Sequence, residues 1–138
     1  MFSEWLFRKV KKIGFEDIKH IINRPTEQYI IINTLPVDMQ TCLIKNTVAC
    51  HTEEKIINQL LENYEMKKSH IVVYGKNNAD ETVDQKYKQL YDLGFSHVYL
   101  YSGGLFEWLL LQDIYGADEF PTTGKMMDIL ELRPPRLL

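Results

Sequence analysis

The chain has 138 residues, of which 45% are hydrophobic and 25% charged, a composition that suits one soluble globular domain with its own core and excludes a disordered chain. Its net charge of −3 and pI of 5.8 lack the basic footprint of a nucleic-acid binder, so no nucleic-acid partner is expected. No apolar run is long enough for a membrane span, because even Leu105 to Leu111 is broken by Glu107.

Phe2, Leu6 and Val10 stand near helical spacing, with Ser3 as a candidate N-cap and Glu4 near the positive helix end, which predicts a short amphipathic helix over 2–10. Trp5 and Phe7 add aromatic surface, and Arg8, Lys9, Lys11 and Lys12 form a basic cluster. The segment reads as a flap over one face of the domain, with a membrane-surface anchor as the alternative. Apolar residues precede basic ones, the reverse of a secretory signal. Ile13 then ends a strand, Gly14 breaks it, and a helix follows with Phe15, Ile18, Ile21 and Ile22 on one side, stopped by Pro25.

Tyr29 to Asn33 is an Ile-rich run of the kind found in parallel strands buried on both faces. Thr34 to Thr41 reads as a loop, Val48 to Cys50 as a short strand, and Thr52 as the cap of a helix carrying Ile56, Ile57, Leu60 and Leu61. Ile71 to Tyr74 gives another buried strand. Val83 to Leu93 predicts a helix with Val83, Tyr87, Leu90 and Tyr91 on one stripe, closed at Gly94. His97 to Tyr101 is a strand, Gly103 and Gly104 a turn, and Phe106 to Tyr115 a strongly apolar helix, with Trp108 and Tyr87 expected in the core. Phe120 to Gly124 reads as a loop and Lys125 to Leu132 as a final helix, ended by Pro134 and Pro135. Strands alternating with helices predict an α/β fold, a central, mainly parallel sheet with helices on both faces.

Isolated candidates for chemistry are weak. Cys50 beside His51 suggests a thiolate and base, but neighbours on a strand point to opposite faces, so Cys50 is expected to be buried and structural. Cys42, in a loop, is the expected exposed thiol. His20, His70 and His97 are scattered, and Asp113, Asp118 and Glu119 lack a partner cluster, so no metal site is expected. Neither a Walker loop nor a dinucleotide glycine loop is present, and no cofactor is expected. The two cysteines lack zinc-knuckle or CxxC spacing and fit a reduced, cytoplasmic setting.

The stretch from Ser69 to Trp108 joins an apolar strand, a polar loop, an amphipathic helix, Leu93-Gly94-Phe95, a second strand and a Gly-Gly-x-x-x-Trp close. It resembles the C-terminal half of a rhodanese-like domain. The resemblance extends less closely over residues 13–112, leaving a C-terminal extension at 113–138. It aligns the Ile30 to Leu35 segment with a family strand followed by an aspartate and an arginine, where this chain has Asn33 and Leu35. Cys42 to His51 resembles a family Gly-His-Ile-Pro-Gly-Ala segment, with Cys42 and Leu43 in place of the glycine and histidine.

The resemblance implies that Gly75 stands where the family carries its sulfur-bearing cysteine, and that the loop Gly75-Lys76-Asn77-Asn78-Ala79-Asp80 is a degenerate active-site loop without the family's usual arginine. No catalytic residue is assigned. In the family such a loop, with the helix behind it, surrounds the thiolate and holds anions. Here Asp80, Glu81 and Asp84 place carboxylates at that helix end, leaving Lys76 as the one local cation. The expected function is a catalytically inactive rhodanese-like domain acting as a protein-binding or regulatory module. One alternative is a sulfurtransferase using a displaced cysteine, Cys42 or Cys50; a second is a structural or oligomeric component. An unidentified protein partner or self-association is expected, with contact residues Phe2, Trp5, Phe7, Met126 and Met127 outside the family core. Heavy use of Ile, Lys and Asn fits an AT-rich genome, as in some large DNA viruses or parasites.

Overall fold

The computed structural model describes residues 10–24 and 28–138. The expected helix at 2–10, with Phe2, Trp5 and Phe7, and the stop at Pro25 lie outside the described residues. The sheet is built from β1 (Lys12–Ile13), β2 (Tyr29–Asn33), β3 (His70–Tyr74) and β4 (His97–Tyr101). Between and after them run α1 (Phe15–Ile22), α2 (Cys50–Glu62), α3 (Glu81–Asp92) and α4 (Gly104–Tyr115). The strand order is β1-β4-β3-β2 and every pair is parallel, with Ile71 opposite Ile31's neighbour Ile30 on one side and Val98 on the other.

The sheet separates two apolar layers because strand side chains alternate with period two. Ile31, Val72, Tyr74 and Tyr101 face α1 and α4, meeting Ile18, Ile22, Leu105, Trp108 and Leu109. Ile32, Ile71, Val73, Val98 and Leu100 face α2 and α3, meeting Ile57, Val83, Tyr87 and Leu90. Burial on both faces is why β2 and β3 read as continuous apolar runs. Each buried Ile, Val or Leu contributes about 1.5–3 kcal/mol relative to an exposed one. Trp108 and Tyr87 lie in the core as the helical spacing predicts, at 0% and 3% exposure.

The four sheet strands match expectation closely, while the short strand expected over Val48 to Cys50 and several helix ends do not. Cys50 is not on a strand: pairing at 47–48 is reduced to a single bridge, Ile31 with Thr47, and Cys50 opens α2. Thr52 does not cap that helix, because its hydroxyl bonds back to the Ala49 carbonyl at 3.0 Å and the cap position falls on Ala49. Tyr91 sits on the predicted stripe of α3 yet is 36% exposed, at the edge of the buried face.

The final helix expected over Lys125 to Leu132 shrinks to a 3₁₀ turn, Ile129–Leu132. Asp128 takes the Leu130 N–H with its own carboxylate at 3.1 Å, a local bond that starts the turn late. The extension is nonetheless tied to the sheet layer. Ile44 and Thr122 form an antiparallel bridge, Lys45 N–H donates to the Pro121 carbonyl at 3.1 Å, and Phe120 and Leu132 are buried against α1 and α4. Met126 packs partly into that layer, whereas Met127 is 98% exposed, so the two methionines expected to act together face different surroundings.

Candidate functional site

The carboxyl edge of a parallel sheet is where open α/β folds build their sites, and here it carries Thr34 after β2 and the 75–80 loop after β3. Gly75 is fully enclosed. A Cβ placed on it would lie 2.3 Å from Val83 Cγ2, 2.5 Å from an Asp80 carboxylate oxygen and 2.9 Å from the Thr34 hydroxyl. The space that a side chain at 75 would enter is therefore already filled by the first turn of α3.

One N–H of the loop and one of the helix behind it point at a side chain of the loop itself. Asp80 caps α3 and accepts from Lys76 N–H at 3.0 Å with one oxygen, and from Thr82 N–H at 3.1 Å and the Thr82 hydroxyl at 2.6 Å with the other. The Thr34 hydroxyl lies 2.8 Å from that of Thr82, joining the end of β2 to this network. Asn77 folds its side-chain oxygen onto the Ala79 N–H at 2.8 Å. A carboxylate of the chain itself thus takes the Lys76 and Thr82 N–H groups at the N-terminus of α3, where an external anion would otherwise be favoured.

Three contacts hold the loop in this shape. Leu105 and Phe106, at the start of α4, donate to the carbonyls of Gly75 and Lys76 at 2.9 and 2.8 Å. Gly104 makes that approach feasible, with φ of +69° and Asn77 N only 2.8 Å from where its Cβ would be. From the other side, the buried Asn77 amide donates to the Leu132 carbonyl at 2.8 Å, so the C-terminal turn is fastened to the loop. Asn78 and Ala79 remain exposed and Lys76 is half-buried.

Beside the loop, a crevice of about 430 Å³ is lined by Asn33, Thr34, Thr82, Gln85 and the ion pair of Lys86 with Glu53, 2.6 Å apart. Its charges cancel and it presents amides and hydroxyls. Asn33 itself serves the chain's turn, accepting the Leu35 N–H at 3.0 Å.

The cysteines exchange the roles that the sequence suggests. Cys42 is buried, not exposed, because the extension covers it: its Sγ lies 3.3 Å from the Gly124 carbonyl. Desolvation raises its pKa, only partly offset by its contacts with Thr122 and Gly124, so it stays a thiol at neutral pH. Cys50 is the exposed one. It follows Ala49 into the first turn of α2, where His51 is about 100° round the helix axis and not across a strand. Neither thiol is in the 75–80 loop.

The histidines are less scattered than they look. His70 and His97 are register partners on β3 and β4, with rings stacked at 4.6 Å. Among the described residues no group of three or more His, Cys, Asp or Glu side chains is placed to hold a metal ion. Sequence reasoning missed two further contacts. Tyr101 donates to Glu107 at 2.7 Å beneath the Gly103-Gly104 turn, and burial together with that carboxylate pushes its pKa far up. The other is that of Thr34, whose hydroxyl directly follows a parallel strand and meets Thr82 at the site edge.

A parallel sheet flanked by helices on both faces, with a strand-to-helix loop at its carboxyl edge closed on its own Asp80, defines the class of domain. The profile of the rhodanese-like domain matches residues 11–111, and the chain belongs to that family. Solved structures agree on the fold. A rhodanese-like domain from Anabaena sp. is 23% identical, with a TM-score of 0.59, covering 94% of this chain and 88% of its own. A protein from Bacillus halodurans is 16% identical, with a TM-score of 0.61, covering 80% of each chain. An uncharacterized protein from Saccharomyces cerevisiae is 13% identical, with a TM-score of 0.56, covering 77% of this chain and 96% of its own. No curated protein matches the sequence.

Proposed function

We propose that this rhodanese-like domain has no sulfurtransferase activity and works as a protein-binding or regulatory module in the cytoplasm. The observation that carries the reading is the Asp80 carboxylate lodged against Gly75 and bonded to Lys76 and Thr82 N–H. Nucleophilic sulfur transfer needs an attacking atom and a site that favours its anionic form. Gly75 supplies no atom, and Asp80 puts negative charge where a thiolate or thiosulfate would have to sit.

The absence among the described residues of a helix long and apolar enough to cross a membrane, and the two unpaired cysteines, fit this setting. Transfer through a displaced cysteine rests on Cys50, the exposed thiol.

An anion titration tests the reading at the loop. Adding sulfate leaves the Lys76 and Thr82 amide resonances of the native chain unmoved, because both donors are engaged by Asp80. Asp80→Ala frees them, and those two resonances then shift with saturation. Saturable shifts in the native chain would show an open anion site and contradict the reading.

A further inference from the structure

α4 carries apolar side chains on every side, interrupted by Glu107, Gln112 and Asp113, which is more than a helix with one buried face needs. Leu105, Trp108 and Leu109 are in the core, but on the other side Leu110 is 40% exposed and Ile114 70%, while Tyr115 lies on the Trp108 side with its ring 6.0 Å from that of Phe120. Leu110 and Ile114 are four residues apart and form one stripe with Phe106, half-buried at the start of the helix. From Phe106 to Ile114 the stripe is about 12 Å long, two turns and a little more. It starts at the candidate site, since Phe106 N–H is the donor to the Lys76 carbonyl.

Along the chain, the charges on this helix and just after it have one sign. Between Ser102 and Gly124 the chain has no Lys or Arg, while Glu107, Asp113, Asp118 and Glu119 are all acidic. Glu119 is paired with Lys19 at 2.7 Å, but no ion pair among the described residues engages Glu107, Asp113 or Asp118. A second copy docking α4 on α4 would bring these carboxylates together with no cation between them, and facing like charges opposes that pairing. A partner carrying Lys or Arg beside its apolar side chains neutralises them.

We propose that the outer face of α4 docks a basic amphipathic helix of another protein. Its apolar side chains cover Leu110 and Ile114, and its Lys or Arg side chains face Asp113, which stands three residues from Leu110 on the same helix. The inference rests on the protein-binding reading above and gives it a surface and a partner chemistry. Exposed rim charges act mainly on encounter rate and salt dependence, so binding weakens as salt is raised.

The test uses the full chain and two fluorescently labelled synthetic helical peptides, each with a leucine face, one with lysines on the other face and one with glutamates. Anisotropy is expected to show saturable binding of the lysine peptide, weakened by salt, and none of the glutamate peptide. Ile114→Ser weakens the lysine peptide by about tenfold. Asp113→Lys weakens it too and admits the glutamate peptide. Both positions are exposed, and thermal melts monitor that the variants stay folded. Absence of saturable binding, equal binding of the two peptides, or binding that ignores both variants overturns the proposal. So does self-association of the native chain in sedimentation that Ile114→Ser abolishes, since the occupant is then a second copy. Failure here removes the α4 surface only, whereas turnover of thiosulfate removes the reading beneath it.

Discussion

Trp108→Ala lowers the unfolding free energy by about 3–5 kcal/mol in denaturant titration. The indole is completely buried, meets Phe120 edge-on at 5.0 Å and Tyr101 at 6.4 Å, and donates from Nε1 to the Pro121 carbonyl at 3.1 Å. Truncation therefore opens a cavity between α4 and the extension, and also removes one of the two donors to the Pro121 carbonyl, leaving it the Lys45 N–H. The loss falls on the layer that holds α4 and the segment from Phe120 together. A denaturation midpoint unchanged from the native chain would mean that α4 does not pack as described.

Gly104→Ala is expected to be the next most damaging change, although it adds one methyl group. At φ of +69° an L residue costs about 1–2 kcal/mol. The new Cβ would also lie 2.8 to 2.9 Å from Asn77 N, Asn77 Cα and the Gly75 carbonyl oxygen, all backbone atoms that yield only if the loop moves. Overpacking of this kind adds about 1–3 kcal/mol. The same variant should shift the Lys76 and Thr82 amide resonances, because the loop is pushed off α4. A variant as stable as the native chain, with those resonances in place, would contradict the tight contact between loop and turn.

The sheet was legible because burial on both faces writes itself into consecutive residues. Tyr29–Asn33 and His97–Tyr101 were bounded correctly from the sequence, and β3 differs by His70 alone. Gly94 announced the end of α3, and the Gly103-Gly104 pair announced a sharp entry into α4. What was not legible depends on residues distant in sequence. Cys42 looks like a loop thiol until the extension, 82 residues later, folds over it. Asn77 looks like a surface loop residue until it meets Leu132, 55 residues on. The start of α2 failed for a local reason, since Thr52 bonding back to Ala49 and Thr52 capping the helix look alike in sequence.

At the candidate site the residue types were legible and their arrangement was not. The sequence places Asp80 near the positive end of α3, which is correct as far as it goes. Only the structure puts its carboxylate within 2.5 Å of the missing Gly75 side chain and on the Lys76 N–H. That distinction matters for repair. Gly75→Cys alone brings its sulfur against Val83 and a carboxylate, so restoring the residue type does not restore a thiolate site.

The central claim, a rhodanese-like domain without sulfur transfer, is tested most directly by incubating the full chain with thiosulfate and cyanide, following thiocyanate, and weighing the protein by mass spectrometry. The account predicts no thiocyanate above the protein-free rate and no persulfide on either cysteine. A persulfide on Cys50, with turnover that disappears in Cys50→Ser, would contradict it.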